Sequence, residues 1–358
     1  MGNQRDSIGD SSAHNIYLTN GASEGVRQVL NMAIRSKEDG IMVPIPQYPL
    51  YSALITLQGG TMVPYYLDEP KNWGLDIKDL EYRVKKAKDE GLNVRSMVVI
   101  NPGNPTGQVL TEQNIREIIL CYENSILIMA DEVYKNVYSE GSQFLSFRKV
   151  LNGMGAPYKD NELISFHSIS KGLMGECGLR GGYMETHNID PFVEEMFYKL
   201  KSIELCSNTI GQLGTLLMIN PPKRGVEADE VVDLYEKEQG EIYGGLKERA
   251  KMLTATFNKM ERTSCSEIQG AMYGFPRIHL TQSAIKAAKE QGVQPDFFYC
   301  MQMVNETGIM TVPGSGFGQR DGEFHYRITN LVSPTSEMRA TLDRLEAFNS
   351  EFYAKYSQ

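Results

Sequence analysis

Two patterns of apolar positions alternate along the chain from residue 16 to about residue 220. Short apolar runs rich in β-branched residues predict strands, whereas apolar positions spaced three and four apart predict helices. The predicted strands are IMVPI (41–45), TMVPYY (61–66), RSMVVI (95–100), SILIMA (125–130), LISFHS (163–168) and GGYME (181–185). Several of these runs are almost continuously apolar, as strands covered on both faces must be.

Helical patterns between these strands begin at Ala22, Pro49, Ile77 and Thr111. Thr111 is a good N-cap because it begins the stretch TEQNIREIIL (111–120) and precedes the apolar positions spaced three and four apart. Strands that alternate with helices in this way predict an α/β fold, with a mostly parallel sheet covered by helices on both sides.

After residue 220 the pattern changes to long helices and a few strand-like stretches. The predicted elements are a helix from Ala228 to about Met260, a strand-like stretch at 271–280, a helix near 296–306 and a terminal helix from Ser336. We therefore expect a disordered polar lead-in at 1–15, a large domain at 16–235 and a smaller α+β domain at 236–358.

Composition narrows the class of protein. The 358 residues carry a formal net charge of −9 with a pI near 5.3, which argues against a nucleic-acid surface. No apolar run approaches the roughly 18 residues of a membrane span. The five cysteines are scattered without a CxxC pair, which predicts a reducing compartment and neither disulfides nor a metal site. We expect a cytoplasmic protein and leave a mitochondrial location open.

The candidate chemistry begins with SFHSISKGLMGECGLRGGY, residues 165–183, where one lysine lies among serines and glycines. An amine in an enclosed, electropositive pocket loses its proton and can form a Schiff base, so Lys171 is a candidate nucleophile. Ser168 offers a hydroxyl, and Arg180 can bind an anion through two hydrogen bonds. An amine beside an anion site suggests a phosphorylated carbonyl cofactor, although an exposed loop lysine is the plainer interpretation of Lys171 alone.

Pyridoxal 5′-phosphate also needs a carboxylate beside its ring nitrogen and donors beside its phenolic oxygen. Asp131 follows a predicted strand, at the edge where parallel sheets bind ligands, and a charge pair there is worth ~4 kcal/mol at 4 Å. Asn104, in the loop NPGNPTG (101–107), and Tyr134 could both donate to the phenolic oxygen. A helix N-cap and a turn-rich loop are the simpler alternatives for Asp131 and Asn104.

Four further residues could complete such a site. Ala22 and Ser23 begin a helix, where backbone N–H groups favour a phosphate. Tyr48 could lie over the cofactor ring, and Arg327 could bind a substrate carboxylate. The sequence GSGFG (314–318) does not open a helix, so a dinucleotide loop is not expected there.

With these motifs in place, the chain resembles the fold-type I pyridoxal-phosphate aminotransferases, and among them the alanine aminotransferases, from about Ile16 to its end. The motifs that carry the resemblance are PIPQYPLYSA, INPGNPTGQV, ADEVY, GSQFLSF, SFHSISKG, MGECGLRGGY, QGAMYGFPR and VPGSGFGQR.

The resemblance implies a role for each candidate residue. Lys171 is the catalytic lysine that forms the aldimine and then moves a proton. Ala22, Ser23, Ser168 and Arg180 hold the phosphate. Asp131 pairs with the ring nitrogen, Asn104 and Tyr134 contact the phenolic oxygen, and Tyr48 stacks on the ring. Asn104 and Arg327 contact the substrate, and no residue binds a metal.

The implied reaction is ping-pong transfer of an amino group from L-alanine to 2-oxoglutarate, giving pyruvate and L-glutamate in a homodimer. Two alternatives stay open: a glutamate:glyoxylate aminotransferase of the same subfamily, and a non-catalytic form that binds only cofactor or a partner. Relatives carry a longer segment before LTNGAS (18–23), so we expect a truncated chain whose stability, dimer affinity and activity depend on that segment.

Overall fold

The computed structural model describes residues 12–121 and 125–357, and an eight-stranded sheet forms its centre. The strands are β1 (Ile16–Thr19), β2 (Asp39–Ile45), β3 (Thr61–Asp68), β4 (Gly74–Leu75), β5 (Asn93–Ile100), β6 (Leu127–Asp131), β7 (Leu163–Ser168) and β8 (Gly182–His187). Their order in the sheet is β1-β8-β7-β6-β5-β2-β3-β4. The five strands β7, β6, β5, β2 and β3 are parallel, while β8 and β4 run antiparallel to their neighbours.

Seven helices belong to this part of the described chain. They are α1 (Ala22–Ala33), α2 (Leu50–Gln58), α3 (Ile77–Asp89), α4 (Glu112–Cys121), α5 (Phe147–Met154), α6 (Pro191–Glu204) and α7 (Thr209–Ile219). The predicted α/β fold is therefore confirmed. Each predicted strand coincides with an observed strand to within two residues at either end, and each predicted helix start to within one.

The central strands are buried on both faces. Along β5, Met97 and Val99 belong to one apolar cluster, whereas Val98 and Ile100 belong to another. The two clusters contain helices from opposite sides of the sheet: α3, α4 and α5 contribute to the first, and α1 and α2 to the second. This arrangement explains the continuous apolar runs, because alternate side chains of one strand enter two separate cores.

The chain beyond the sheet forms a third apolar cluster around long helices. The elements are α8 (Asp229–Phe257), β9 (Thr263–Ser264), β10 (Tyr273–Gly274), β11 (Arg277–Ile278), α9 (Gln282–Glu290), α10 (Pro295–Thr307), β12 (Val312–Pro313), β13 (Tyr326–Thr329) and α11 (Thr335–Lys355). The strands β10, β13 and β12 form a small antiparallel sheet. The proposed boundary after residue 235 lies within α8, so one continuous helix joins the two proposed domains.

Part of the predicted lead-in, residues 1–11, lies outside the described residues, whereas Ala13–Asn15 form a 3₁₀ turn. None of the described helices is long and apolar enough to cross a membrane. Within residues 12–121 and 125–357, no group of three or more metal-ligating side chains could hold a metal ion.

Candidate active site

A cavity of about 330 Å³ opens where the parallel strands β5, β6 and β7 end. All ten residues predicted for the site line this cavity: Ala22, Ser23, Tyr48, Asn104, Asp131, Tyr134, Ser168, Lys171, Arg180 and Arg327. They come from separate parts of the sequence, so the fold alone brings them together.

The register of the sheet explains why three of the motifs meet. Asp131, the last residue of β6, lies opposite Ile100 of β5 on one side and Phe166 of β7 on the other. Asn104 follows β5 by four residues, and Lys171 follows β7 by three. Because neighbouring parallel strands end at one edge of the sheet, their loops converge on one place.

Asp131 is a buried carboxylate, with only 7% of the residue exposed. The Tyr51 hydroxyl donates a hydrogen bond of 2.8 Å to one carboxylate oxygen, and the Val133 N–H donates one of 3.4 Å to the other. Burial raises the pKa of Asp131 to about 6, and the two hydrogen bonds act in the opposite direction. Among the described residues, no cationic side chain forms an ion pair with Asp131, so its negative charge is available to a cation in the cavity.

A chain of hydrogen bonds lines the adjoining wall. Arg327 donates from Nη1 to Oδ1 of Asn104 over 2.9 Å, and Asn104 donates from Nδ2 to the Tyr134 hydroxyl over 3.3 Å. The Tyr134 hydroxyl lies 3.1 Å from the hydroxyl of Tyr273. Burial raises the pKa of Tyr134 well above its ordinary value, so this phenol is a hydrogen-bond donor at neutral pH.

Arg180 supplies a fixed cation at another part of the cavity. Its Nη2 donates to the Asn20 carbonyl over 2.8 Å and to the Ser23 hydroxyl over 3.2 Å, while Nη1 donates to the Cys177 carbonyl over 3.2 Å. Gly21 lies directly beside this guanidinium, since a Cβ at residue 21 would be 2.9 Å from the Arg180 Cζ atom. A glycine is therefore required for the close approach, and its φ of +80° also favours glycine.

Lys171 lies in the loop between β7 and β8, where it is half-buried and lines the cavity. The Ser168 hydroxyl at the end of β7 donates to the Gly181 carbonyl over 3.0 Å and accepts from the Ser170 N–H over 3.1 Å. These bonds fix the backbone on either side of Lys171. The lysine amine therefore shares the cavity with serine hydroxyls and with Arg180.

Tyr48 lies two residues before α2 and is 40% exposed, so it is the most solvent-exposed aromatic ring in the cavity lining. Its carbonyl accepts from the Tyr51 N–H over 3.3 Å at the first turn of the helix. A half-exposed ring at this place can cover a flat ligand without filling the cavity.

Sequence reasoning missed two tyrosines of the site. Tyr51 holds Asp131, and Tyr273 lies against both Tyr134 and Arg327. Tyr51 had a weak signal, because it follows the candidate Tyr48 by three residues at a predicted helix start, where such residues share a face. Tyr273 lies in the motif QGAMYGFPR (269–277), but nothing in that motif indicates its partners, which lie more than 50 residues away in either direction.

The donor set of the cavity fits pyridoxal phosphate. Arg180, Ser23, Ser168 and the N-terminus of α1 provide donors for a phosphate, and Gly21 leaves the space that an added Cβ would fill. The buried and unpaired Asp131 carboxylate matches a protonated ring nitrogen. The neutral phenol of Tyr134 and the amide of Asn104 match an anionic oxygen.

Comparison of the chain with known proteins gives the same result. The family model for aminotransferase class I and II matches residues 4–345. Glutamate–glyoxylate aminotransferase 1 of Arabidopsis thaliana is 50% identical over 95% of this chain and 71% of its own length. The probable mitochondrial alanine aminotransferase of Dictyostelium discoideum is 47% identical over 97% of this chain, which covers 65% of that relative.

A solved structure has the same fold. The alanine aminotransferase from Pyrococcus furiosus superposes with a TM-score of 0.79 at 25% identity, over 98% of this chain and 79% of that chain. The fold and the cavity define a pyridoxal-phosphate enzyme of fold type I. The chain belongs to the class I and II aminotransferases, and it is a pyridoxal-phosphate-dependent aminotransferase.

Proposed function

We propose that this protein transfers the amino group of L-alanine to 2-oxoglutarate and releases pyruvate and L-glutamate. The observation that carries the proposal is the single cavity that contains a lysine amine, a buried carboxylate and two arginines. Alanine aminotransferases from several organisms support it, since those of Panicum miliaceum and Bos taurus are 47% and 43% identical over 97% and 99% of this chain.

In this proposal Asp131 and the phenolic donors control the electronics of the cofactor. When bound, pyridoxal phosphate supplies an aldehyde that condenses with primary amines and a pyridine ring that withdraws electrons from the substrate Cα. The Asp131 carboxylate keeps the ring nitrogen protonated. Asn104 and Tyr134, which share a hydrogen bond on the cavity wall, would donate to the phenolic oxygen and so stabilise its anion.

The phosphate group is held at the N-terminus of α1. Backbone N–H groups of Ala22 and Ser23, the Ser23 hydroxyl and the Arg180 guanidinium would supply the donors, and the Ser168 hydroxyl would turn its proton from the Gly181 carbonyl to the phosphate. Because Arg180 is already fixed by the Asn20 and Cys177 carbonyls, little side-chain freedom is lost when it binds an anion.

Lys171 and Arg327 act on the substrate. Arg327 binds the α-carboxylate, and its contact with Asn104 couples the substrate to the residues that hold the cofactor. Lys171 would hold the cofactor through its amine, and once the substrate amine has displaced it, its free Nζ would accept a proton from the substrate Cα and return it. Tyr48 would lie over one face of the cofactor ring.

A second function has support of its own. Glutamate–glyoxylate aminotransferases 1 and 2 of Arabidopsis thaliana are each 50% identical to this chain, compared with 42–47% for the alanine aminotransferases. Both functions use a small keto acid and a dicarboxylic partner, so the same Arg327 serves both. The keto-acid acceptor decides between them.

The test uses purified protein with added pyridoxal phosphate. We expect a visible absorption band that Lys171→Ala abolishes, and pyruvate formation from alanine with 2-oxoglutarate as acceptor. Faster turnover of glutamate with glyoxylate would favour the second function. A Lys171-dependent band without turnover of either pair would show a form that binds the cofactor only, and no band at all would contradict the proposal.

We also propose that the enzyme is a homodimer, because helix α7 has its apolar residues on the outside. Its buried residues include the small Gly211, Gly214 and Thr215, and the exposed ones are Ile210, Leu213, Leu216 and Leu217. Phe192, Tyr198, Ile203 and Leu205, in α6 and the connection that follows it, are exposed as well, and the four residues of α7 make its outer face apolar. Such a face is typical of a subunit interface.

Helix α7 also lies against the site. A Cβ at Gly211 would be 2.6 Å from the Arg180 carbonyl, and one at Gly214 would be 2.7 Å from Cδ1 of Ile169. We therefore expect Leu213→Glu with Leu216→Glu to shift the protein from dimer to monomer in sedimentation, and to weaken cofactor binding. The exposed control Leu57→Glu should leave the mass unchanged, and a monomeric wild-type protein would contradict this part of the proposal.

A reducing compartment fits Cys177, Cys206, Cys265 and Cys300, which are free thiols. We propose the cytoplasm, and the relatives named as mitochondrial in Dictyostelium discoideum and Arabidopsis thaliana make the mitochondrion the alternative. Fractionation of the source cells separates the two.

A further inference from the structure

Four side chains form a closed circuit on one wall of the cavity. Arg327 donates to Asn104, Asn104 donates to Tyr134, and the Tyr134 hydroxyl is within hydrogen-bond distance of the Tyr273 hydroxyl. The circuit closes because the Arg327 guanidinium lies 4.3 Å from the centre of the Tyr273 ring. Tyr273 therefore touches both the residue proposed for the phenolic oxygen and the residue proposed for the substrate carboxylate.

Donor and acceptor chemistry fixes most of this circuit. A guanidinium only donates, so the Asn104 atom that faces Arg327 is the oxygen, and the Asn104 nitrogen must face Tyr134. That nitrogen also only donates, and it occupies one acceptor position of the Tyr134 oxygen. The remaining freedom lies between the Tyr134 and Tyr273 hydroxyls, 3.1 Å apart, where either can be the donor.

A ligand with an anionic oxygen in the cavity would decide which of the two hydroxyls donates to the other. If Tyr134 donates to Tyr273, its proton cannot also reach the ligand. If Tyr273 donates to Tyr134, the Tyr134 proton is free for the ligand, and the bond received from Tyr273 makes Tyr134 a stronger donor because linked hydrogen bonds polarise one another.

We propose that Tyr273 is a positioning residue whose hydroxyl directs the Tyr134 proton towards the phenolic oxygen of the cofactor and whose ring supports Arg327. The inference rests on the proposed function, since it needs the cofactor in this cavity. Tyr273 itself does not act on the substrate bond that is broken.

The backbone holds Tyr273 firmly enough for this role. Tyr273 begins β10, where it pairs with Thr329 of β13, and the Asn330 N–H donates to the Met272 carbonyl over 3.2 Å. Both Tyr273 and Tyr134 are 4% exposed, so water does not compete for their hydroxyls. The Arg327 guanidinium also lies 4.8 Å from the centre of the Phe317 ring, so two aromatic rings contact it.

The two parts of Tyr273 can be removed separately. Tyr273→Phe loses the hydroxyl and keeps the ring beside Arg327, whereas Tyr273→Leu loses both. We expect Tyr273→Phe to weaken pyridoxal phosphate binding about five- to tenfold, the effect of one net hydrogen bond, and to raise the pH at which the visible band titrates. In steady-state kinetics it should lower kcat more than it raises the KM for alanine, whereas Tyr273→Leu should raise that KM as well.

Two controls make the experiment decisive. Tyr134→Phe should move the same titration further than Tyr273→Phe does. The cofactor analogue with a methylated phenolic oxygen should bind wild type and Tyr273→Phe equally, which separates the hydroxyl effect from a folding defect.

A titration of Tyr273→Phe that coincides with wild type, while Tyr134→Phe moves it, would overturn this inference and leave the proposed function intact. A wild-type protein without a Lys171-dependent band would instead overturn the proposed function, and this inference with it.

Discussion

At the scale of single residues, burial makes the charged form of the Asp131 carboxylate unfavourable in the folded protein. Its pKa of about 6 lies above the value of about 3.9 in an unfolded chain. The folded state therefore binds more protons than the unfolded state between these values, and stability falls as pH rises through that interval. Above pH 6 the cost is on the order of 3 kcal/mol for the protein without a bound cation.

The first prediction is that Asp131→Asn stabilises the protein without cofactor. The amide has the same shape and carries no charge, so at pH 8 the melting temperature should rise by several degrees, and the difference should vanish near pH 4. The same substitution should weaken pyridoxal phosphate binding. The control Asp321→Asn removes an exposed carboxylate and should change neither quantity, and a less stable Asp131→Asn protein at pH 8 would contradict the assignment.

The second prediction concerns Tyr51, whose hydroxyl lowers the pKa of Asp131. Tyr51→Phe should raise that pKa further, so Asp131 becomes protonated at a higher pH. When the pH is lowered from 8 to 5, cofactor affinity should then begin to fall at a higher pH than it does in wild type. The buried Tyr353→Phe, remote from the cavity lining, is the matched control, and an identical pH profile for Tyr51→Phe would refute the coupling.

At the scale of elements, the start of α1 depends on one glycine. The third prediction is that Gly21→Ala weakens pyridoxal phosphate binding at least tenfold, because its Cβ would displace the Arg180 guanidinium and the positive φ would be strained. Inorganic phosphate should compete less effectively for the variant as well. Gly178→Ala, in the same active-site loop as Arg180, has open space around its Cβ and should bind the cofactor normally.

Elements also show how far sequence reasoning reaches. The strands and helix starts of the sheet could be predicted because both faces of each central strand are buried, which leaves an unambiguous apolar run. The strand-like stretch 271–280 is instead two short strands, Tyr273–Gly274 and Arg277–Ile278. Pro276 lies between them, and a proline has no N–H for strand pairing.

The residues of the candidate site also differ in whether the sequence could predict them. Asn104, Asp131 and Lys171 could be found because each follows a predicted strand at the same edge of the sheet. Tyr273 could not, because its place depends on how the small sheet of β10 and β13 packs against the large one.

At the scale of the whole molecule, helix α7 is unusual in the side that it buries. Its apolar side chains would be assigned to the core by pattern, but Gly211 and Gly214 must face inward because the loop around Arg180 and Ile169 leaves no space for larger residues. The apolar side chains are therefore exposed on this chain, and the second subunit of the proposed homodimer would cover them.

The fourth prediction follows from the span of the cavity lining, which runs from residue 22 to residue 327. A ligand held by residues this far apart in the sequence binds the folded chain and not the unfolded one, so stability should rise with cofactor concentration. At one hundred times the dissociation constant the gain is about 2.7 kcal/mol. Melting temperatures measured across a cofactor series should rise steadily in wild type and stay flat in Lys171→Ala with Arg180→Ala, and a flat wild-type series would contradict this linkage.

The wide spacing of the cofactor-binding residues along the sequence also affects how much of the enzyme a cell would contain. Pyridoxal phosphate bound by residues some three hundred positions apart would stabilise the folded chain against opening. Protein without the cofactor would unfold more often and would therefore be degraded faster by proteases. We expect the amount of this enzyme, and not only its turnover, to follow the supply of vitamin B6.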